Sequence, residues 1–319
     1  MPADGPAAPK PTNRVGPRSL IPILGSTVVF ALLDTTAKYA GRILPVLEVA
    51  WFRYLINFLM AVVVYNPVVA PQAWKVTQPG LQVVRAMLLA IMTLCNFLAF
   101  HYLQLAVTTT IGFLTPLVIT ALSVVVLHER IDPHRLAAII GGFIGVLLVT
   151  RPGLGGFHPA MLLSLVNVVV AAVYNMLTRH LAQRESAGSM VLMLAGVPTL
   201  LLAPVMPFIW QTPDHLWLWL ALIFIGAAGG YGHFLVMEAH RHATAAALAP
   251  YSYASLLWIV LTGYVVFGDV PSLWTIVGAA VVVASGLYLL RRERLESGAG
   301  RRPDRAQPGG KELDGNRHH

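Results

Sequence analysis

Apolar residues in this chain come in long blocks with little alternation, each about as long as the roughly 20 residues needed to cross a bilayer as a helix. Reading the blocks by the polar, Gly and Pro positions that interrupt them predicts ten helices. They fall near residues 20–40, 46–66, 82–102, 105–127, 134–150, 159–179, 188–210, 216–237, 244–267 and 272–290. Residues 1–19 and 291–319 lack any apolar face and are expected to be disordered tails.

The blocks repeat once. Ala106–Pro152 holds two apolar runs joined by a charged turn at His128–Arg135, and Ala246–Leu290 has the same plan with its turn at Phe267–Ser272. Placing Glu129 on Asp269 sets an offset of 140 residues, which puts Thr115 on Ser255 and Val118 on Trp258. A period this long marks a duplicated half. The expected units are a first five-helix repeat over 20–152 and a second over 153–290.

Composition agrees: 56% of residues are apolar and 11% charged, against about 25% charged in soluble domains. A two-domain soluble protein is excluded, and a β-barrel would need alternating segments that are absent. The net charge of +8 does not indicate nucleic acid, because the cations sit in the tails and in alternate loops. With both ends on the cytoplasmic side, the loops there hold Lys75, Arg85, Arg130, Arg135, Arg179, Arg184 and Arg241; the opposite loops hold only Arg42 and Arg151. An odd number of spans per half inverts the second half, so equivalent loops should differ in charge. They do: 128–135 carries two Arg and 267–272 none, whereas 102–105 carries no cation and 239–242 reads Ala-His-Arg-His. This is the inverted repeat of many secondary transporters.

Candidate chemistry is sparse. No dinucleotide, P-loop, zinc-protease or nucleophile-elbow motif occurs, so neither an enzyme nor a cofactor is expected. The lone Cys95 lies in an apolar run and supports neither a disulfide framework nor a Cys-based metal site. Asp34, Lys38 and Arg53 fall inside apolar runs, where each ionised group needs a partner or a wet cavity. Asp34 and Lys38 are four apart and expected to pair, either as a structural ion pair or as a coupling site. Glu48 is expected to bond a neighbouring helix. GxxxG spacings at Gly141–Gly145 and Gly226–Gly230, and the weaker Ala280–Ala284, mark close helix packing.

Polar and aromatic stripes at i, i+4, i+7, i+11 mark helix faces expected to turn inward. They are Ser26/Phe30/Leu33/Ala37, Leu89/Thr93/Asn96/Phe100, Asn167/Ala171/Tyr174/Thr178, Gly226/Gly230/His233/Met237 and Tyr251/Ser255/Trp258/Thr262. The expected substrate wall is therefore Thr93, Asn96, Asn167, Tyr174, His233, Tyr251, Ser255 and Trp258. Pro116 and Pro250 permit kinks but stand at non-equivalent positions of the two halves.

With these features in place, residues 18–291 resemble the drug/metabolite transporter superfamily, and within it the EamA-type bacterial inner-membrane exporters of amino acids and related metabolites. The carriers are Pro45 with Arg53, the Thr115-Pro116 step, Glu129, the Gly-rich fifth span with Arg151-Pro152-Gly153, Asp269, and Gly278 with Gly286. The first span has Phe30-Ala31 where the family often has Trp-Gly, and Leu194 stands where the first half has Arg53. The resemblance implies a basket of helices around a central cavity that opens alternately to each side. Its partners would be the lipid bilayer and a small amino-acid-like solute, with no nucleic acid, and a monomer satisfies it. The rival readings are a drug or nucleotide-sugar carrier of the same superfamily and an intramembrane lipid-modifying enzyme.

Overall fold

The computed structural model describes residues 15–127, 133–151 and 156–299. All its extended elements are helices: α1 (Pro17–Ala40), α2 (Val46–Val64), α3 (Pro79–Tyr102), α4 (Leu105–Gly112), α5 (Thr115–Leu127), α6 (Pro133–Thr150) and α7 (Met161–Leu181) come first. Then follow α8 (Ala187–Leu202), α9 (Met206–Ile209), α10 (Leu216–His242), α11 (Ala245–Ser252), α12 (Ala254–Phe267) and α13 (Leu273–Ala299). Among the described residues nine segments are long and apolar enough to cross a membrane, and Leu136–Thr150 is a shorter apolar helix. Large apolar side chains such as Val63, Phe208 and Leu216 are fully outside the core, and hydrocarbon is the solvent that suits them. This is an all-α, multi-pass membrane protein.

Helix starts follow local chemistry. Pro17 and Pro79 occupy first-turn positions where no amide proton is needed, and the Ser186 side chain accepts from Ser189 N at 3.0 Å to cap α8. Two boundaries differ from expectation. Helix α1 begins at Pro17, and α13 runs to Ala299, so 291–299 is helical rather than tail. Of the remaining expectations, Glu129, Pro152, Gly153, most of the 128–135 turn, residues 1–14 and residues 300–319 lie outside the described residues.

The fourth and ninth spans are each broken. Helix α4 stops at Gly112 and α5 starts at Thr115; α11 stops at Ser252 and α12 starts at Ala254. The breaks centre on Phe113 and Tyr253, which are equivalent at the 140-residue offset although the prolines are not. Pro116 lies just after one break and Pro250 just before the other. At the first, Thr115 Oγ1 donates to Gly112 O at 2.8 Å and satisfies the carbonyl that Pro116 frees. The rings of Phe113 and Tyr253 meet edge to face, with centroids 4.8 Å apart.

The two halves interleave. The most extensive contacts are α1 with α10, α6 with α13, and α3 with α7, followed by α2 with α10 and with α8; α1 with α12, α3 with α8 and α5 with α7 come next. Each pairing maps onto another, or onto itself, when the halves are exchanged. Glycines set the closest approaches. A Cβ on Gly145 would lie 2.9 Å from Gly278 O, and one on Gly278 would lie 2.6 Å from Gly145 O, so α6 and α13 cross backbone to backbone. Two glutamates clasp across the halves. Glu48 of α2 accepts from Gln211 N (3.0 Å) before α10, and Glu185 before α8 accepts from Thr77 N (3.0 Å) and Gln78 N (2.7 Å) before α3. The expected partner of Glu48 is a neighbouring helix; the observed one is the Gln211 amide in the loop before α10.

Candidate functional site

Consecutive helices run up and down, so the first residue of α1 and the last of α2, α7 and α10 share one end of the bundle, here the terminal end. The opposite half is filled by the largest apolar cluster, including Leu33, Ala37, Leu44, Phe52, Phe97, Phe100, Leu105 and Leu222. The described clefts that reach mid-helix run inward from the terminal end, and the first ends against this cluster.

The first cleft, of 330 Å³, runs between α1, α4, α10, α11 and α12. Asp34, Phe30, Thr27 and Ser26 line it from α1, Thr109 and Phe113 from α4 and its break, and Ser252 and Ser255 from beside the second break. It descends to Ile23 and His240 near the terminal end. Helical period explains the α1 contribution, since residues 23, 26, 27, 30, 31 and 34 share one face. Ser26 and Thr27 turn their hydroxyls onto Ile23 O and Leu24 O, both at 2.7 Å. Asp34, Thr109, Ser252 and Ser255, by contrast, have no side-chain hydrogen bond among the described residues.

A second cleft, of 260 Å³, lies between α2, α8 and α10; Asn57, Tyr65, Leu194 and His233 line it. Phe30 and His233 form part of the wall dividing the two clefts, their rings edge to face at 5.3 Å. Gly232 permits this, because a Cβ there would come within 2.8 Å of the Phe30 ring. The buried His233 Nε2 has no hydrogen-bond partner among the described residues. Behind them Arg53 Nη1 donates to Thr93 Oγ1 at 3.0 Å, and its guanidinium lies 5.7 Å from the Phe97 ring centre and 5.8 Å from that of Tyr54. Thr93 also bonds the Tyr54 hydroxyl, which donates on to Leu89 O at 2.9 Å. Arg53 thus has the partners that a cation at this depth requires.

The far end is tied shut. Lys38 Nζ donates to Asp269 Oδ2 at 2.8 Å and to Leu103 O at 3.0 Å, and it stands 4.6 Å over the Phe267 ring. Gly268 makes this pairing possible: at φ 68° it closes α12 with its amide on Tyr264 O and turns Asp269 back toward α1. The expected Asp34–Lys38 pair is therefore not formed. Asp34 lies a turn deeper, whereas the lysine stem reaches the far end, where a carboxylate and a carbonyl await it.

The structure separates the expected substrate wall. Ser255 lines the first cleft and His233 the second. Thr93 is bonded to Arg53. Asn167 is buried with its Oδ1 unpartnered among the described residues, and Asn96 is half-buried on α3. Tyr174 packs beside Tyr54 and Leu194, with the Arg85 guanidinium 6.0 Å over its ring. Tyr251 packs with Ile23 and Leu248, and Trp258 against the far-half core. The Tyr251/Ser255/Trp258/Thr262 stripe does not survive as one face, because the break at Tyr253 assigns Tyr251 to a different helix. Arg85, counted as a loop cation, is instead buried within α3, its Nη2 on Met190 O. Sequence reasoning passed over Thr109, Phe113 and Ser252. Two aromatics, Phe113 and Tyr253, at one repeat position were the available signal.

Comparison with known proteins fits this architecture. The profile of the EamA-like transporter family matches residues 18–151 and again 158–291. The chain belongs to that family. It is a metabolite transporter, and its substrate is a small molecule. It is 28% identical over 272 residues to an S-adenosylmethionine uptake transporter of Rickettsia prowazekii (strain Madrid E), covering 84% of this chain and 91% of that one. It is 29% identical over 284 residues to a riboflavin transporter of Vibrio cholerae (86% and 93%), and 24% identical over 276 to a pseudopaline exporter of Pseudomonas aeruginosa (86% and 96%). A solved crystal structure superposes with a TM-score of 0.59 at 20% identity, over 88% of this chain and 99% of that one, which bears on the fold alone.

Proposed function

We propose that this EamA-family protein exports a small amino-acid-like metabolite by alternating access across a bacterial inner membrane, with its terminal end in the cytoplasm. The reading is carried by one asymmetry. The cleft is entered from the terminal end, beside Ile23 and His240, and runs inward as far as Asp34 and Ser255, while beyond it the far end is filled with apolar side chains and tied by Lys38 to Asp269. A carrier in this state loads from the cytoplasmic side, and releasing the far-end tie would present the same groups to the other side. The volume of 330 Å³ stands at the lower end of the range for small-molecule sites and suits a solute of amino-acid size. The orientation rests on the Lys and Arg bias between alternate loops.

The test is transport by the purified chain in liposomes, with a panel of radiolabelled amino acids loaded on either side in turn. Counterflow of at least one amino acid above protein-free liposomes is expected, faster toward the face bearing the 41–45 loop. Counterflow of none, from protein shown to be folded by a cooperative melt, would sink the amino-acid reading.

A further inference from the structure

We propose that Asp34 is the anchor for a positively charged group on the transported solute other than its α-ammonium, so that the carrier prefers amino-acid-like solutes with a sulfonium or second ammonium centre over neutral zwitterions. This rests on the transport reading above and narrows its substrate class. Asp34 lines the first cleft, yet among the described residues its carboxylate has neither a hydrogen bond nor an ion pair. Lys38, one turn along on α1, is committed to Asp269 and Leu103 O. Arg53, whose field reaches Asp34, is committed to Thr93 and packed between aromatic rings, and it is not among the residues lining this cleft. The other lining residues carry no ionisable side chain apart from His240 at the mouth, whose Nδ1 faces Val236 O.

A carboxylate held among helices, without a partner, is costly unless a counter-charge joins it. A cationic solute would supply that charge on binding and remove it on release, which suits a site that must both load and unload. The same cleft presents the Phe30 and Phe113 rings, whose faces attract a desolvated cation. The unbonded hydroxyls of Thr109, Ser252 and Ser255 remain for the solute's neutral polar groups. An anionic solute would meet Asp34 with no lining cation to offset it.

Two matched pairs test this: L-methionine against S-methyl-L-methionine, and S-adenosylhomocysteine against S-adenosylmethionine. Within each pair the members differ by one methyl group and one positive charge on sulfur. Competition for counterflow is measured with the full chain in liposomes clamped at zero membrane potential. The cationic member of at least one pair should compete about tenfold or more better in wild type, as expected for a charge-assisted contact. That ratio should fall to within about twofold in Asp34→Asn and persist in Asp34→Glu. Competition by both members at a ratio near one would leave transport standing and overturn the charge assignment, as would a ratio unchanged in Asp34→Asn. Loss of pH-gradient dependence in Asp34→Asn with the cation preference intact would likewise overturn it, making Asp34 a proton carrier instead. Competition by no member while labelled amino-acid counterflow persists would overturn the charge assignment and leave the transport reading standing; absence of that counterflow, from folded protein, would overturn both. Should Asp34→Asn fail to fold, a wild-type ratio near one still overturns the proposal, and Asp34→Ser takes the place of Asp34→Asn in the comparison.

Discussion

Lys38 and Asp269 come from opposite halves, and their side chains are 3% and 21% exposed. Each satisfies the other, and Leu103 O takes a further lysine proton. Removing one partner strands a charge. Lys38→Met should therefore cost roughly 3 kcal/mol, read as a lower melting temperature in detergent. Lys38→Met with Asp269→Leu should recover most of that loss, because no charge is then left unpaired. The pair's role as a tie is separable from its role in folding. In a Cys95→Ala background carrying Ala37→Cys, an impermeant thiol reagent added from the far side should label the double variant several-fold faster than the parent. Equal labelling would mean that the ion pair holds the fold but does not hold the far end closed.

The broken spans show how a helix can be interrupted at matched places by unmatched residues. Proline frees a carbonyl one turn back, so Pro116 frees Gly112 O at the first break, whereas Pro250 frees Ala246 O well before the second and does not itself account for the break at Tyr253. Gly286 of α13 admits the result: a Cβ there would collide with the Tyr253 hydroxyl and lie 3.1 Å from its ring carbon Cζ. Gly286→Ala should displace that ring and cost about 1–3 kcal/mol, with Tyr253→Phe restoring part of the loss in a double-mutant melt. The Glu185 clasp makes a pH-dependent prediction. Burial alone would raise its carboxyl, but hydrogen bonds from Thr77, Gln78 and Ser189 outweigh that and hold it below the usual 4.5. A depressed value in the folded state means that the stabilisation is present above pH 4.5 and is lost as pH falls through the folded value. Wild type should out-melt Glu185→Gln at pH 7, and the gap should narrow and then close as the pH is taken down from 4.5.

Across the molecule, each half supplies the neighbours that the other half's third span needs. Helix α10 lies against α1 and α2, and α3 lies against α7 and α8. Two repeats in sequence thus fold as one interleaved body, and neither repeat expressed alone should be stably folded. Inversion of the second half has its own check. Single cysteines in a Cys95→Ala background at Thr212 and Gln183, both exposed, should react with an impermeant reagent from opposite faces of intact cells. Thr212 should label from outside and Gln183 should not; labelling of Gln183 from outside would overturn the proposed orientation.

The helical class, the number of apolar blocks and the repeat were legible in the residues, because bilayer thickness imposes a length and lipid imposes apolarity on each segment separately. The GxxxG sites were legible for a similar reason, since close approach needs a missing Cβ whatever the partner helix is. The identity of that partner was not. Lys38 stands four residues from Asp34 and 231 from Asp269, and local spacing favoured the nearer carboxylate. Folding chose the other by bringing the α12–α13 turn to the end that the lysine stem reaches. Likewise the Tyr251–Thr262 stripe assumed a continuous helix, and packing around Tyr253 broke it. Periodicity marks which residues share a face only while the helix persists. Which faces meet, and so which carboxylate is left bare in a cleft, depends on contacts between segments far apart in the chain.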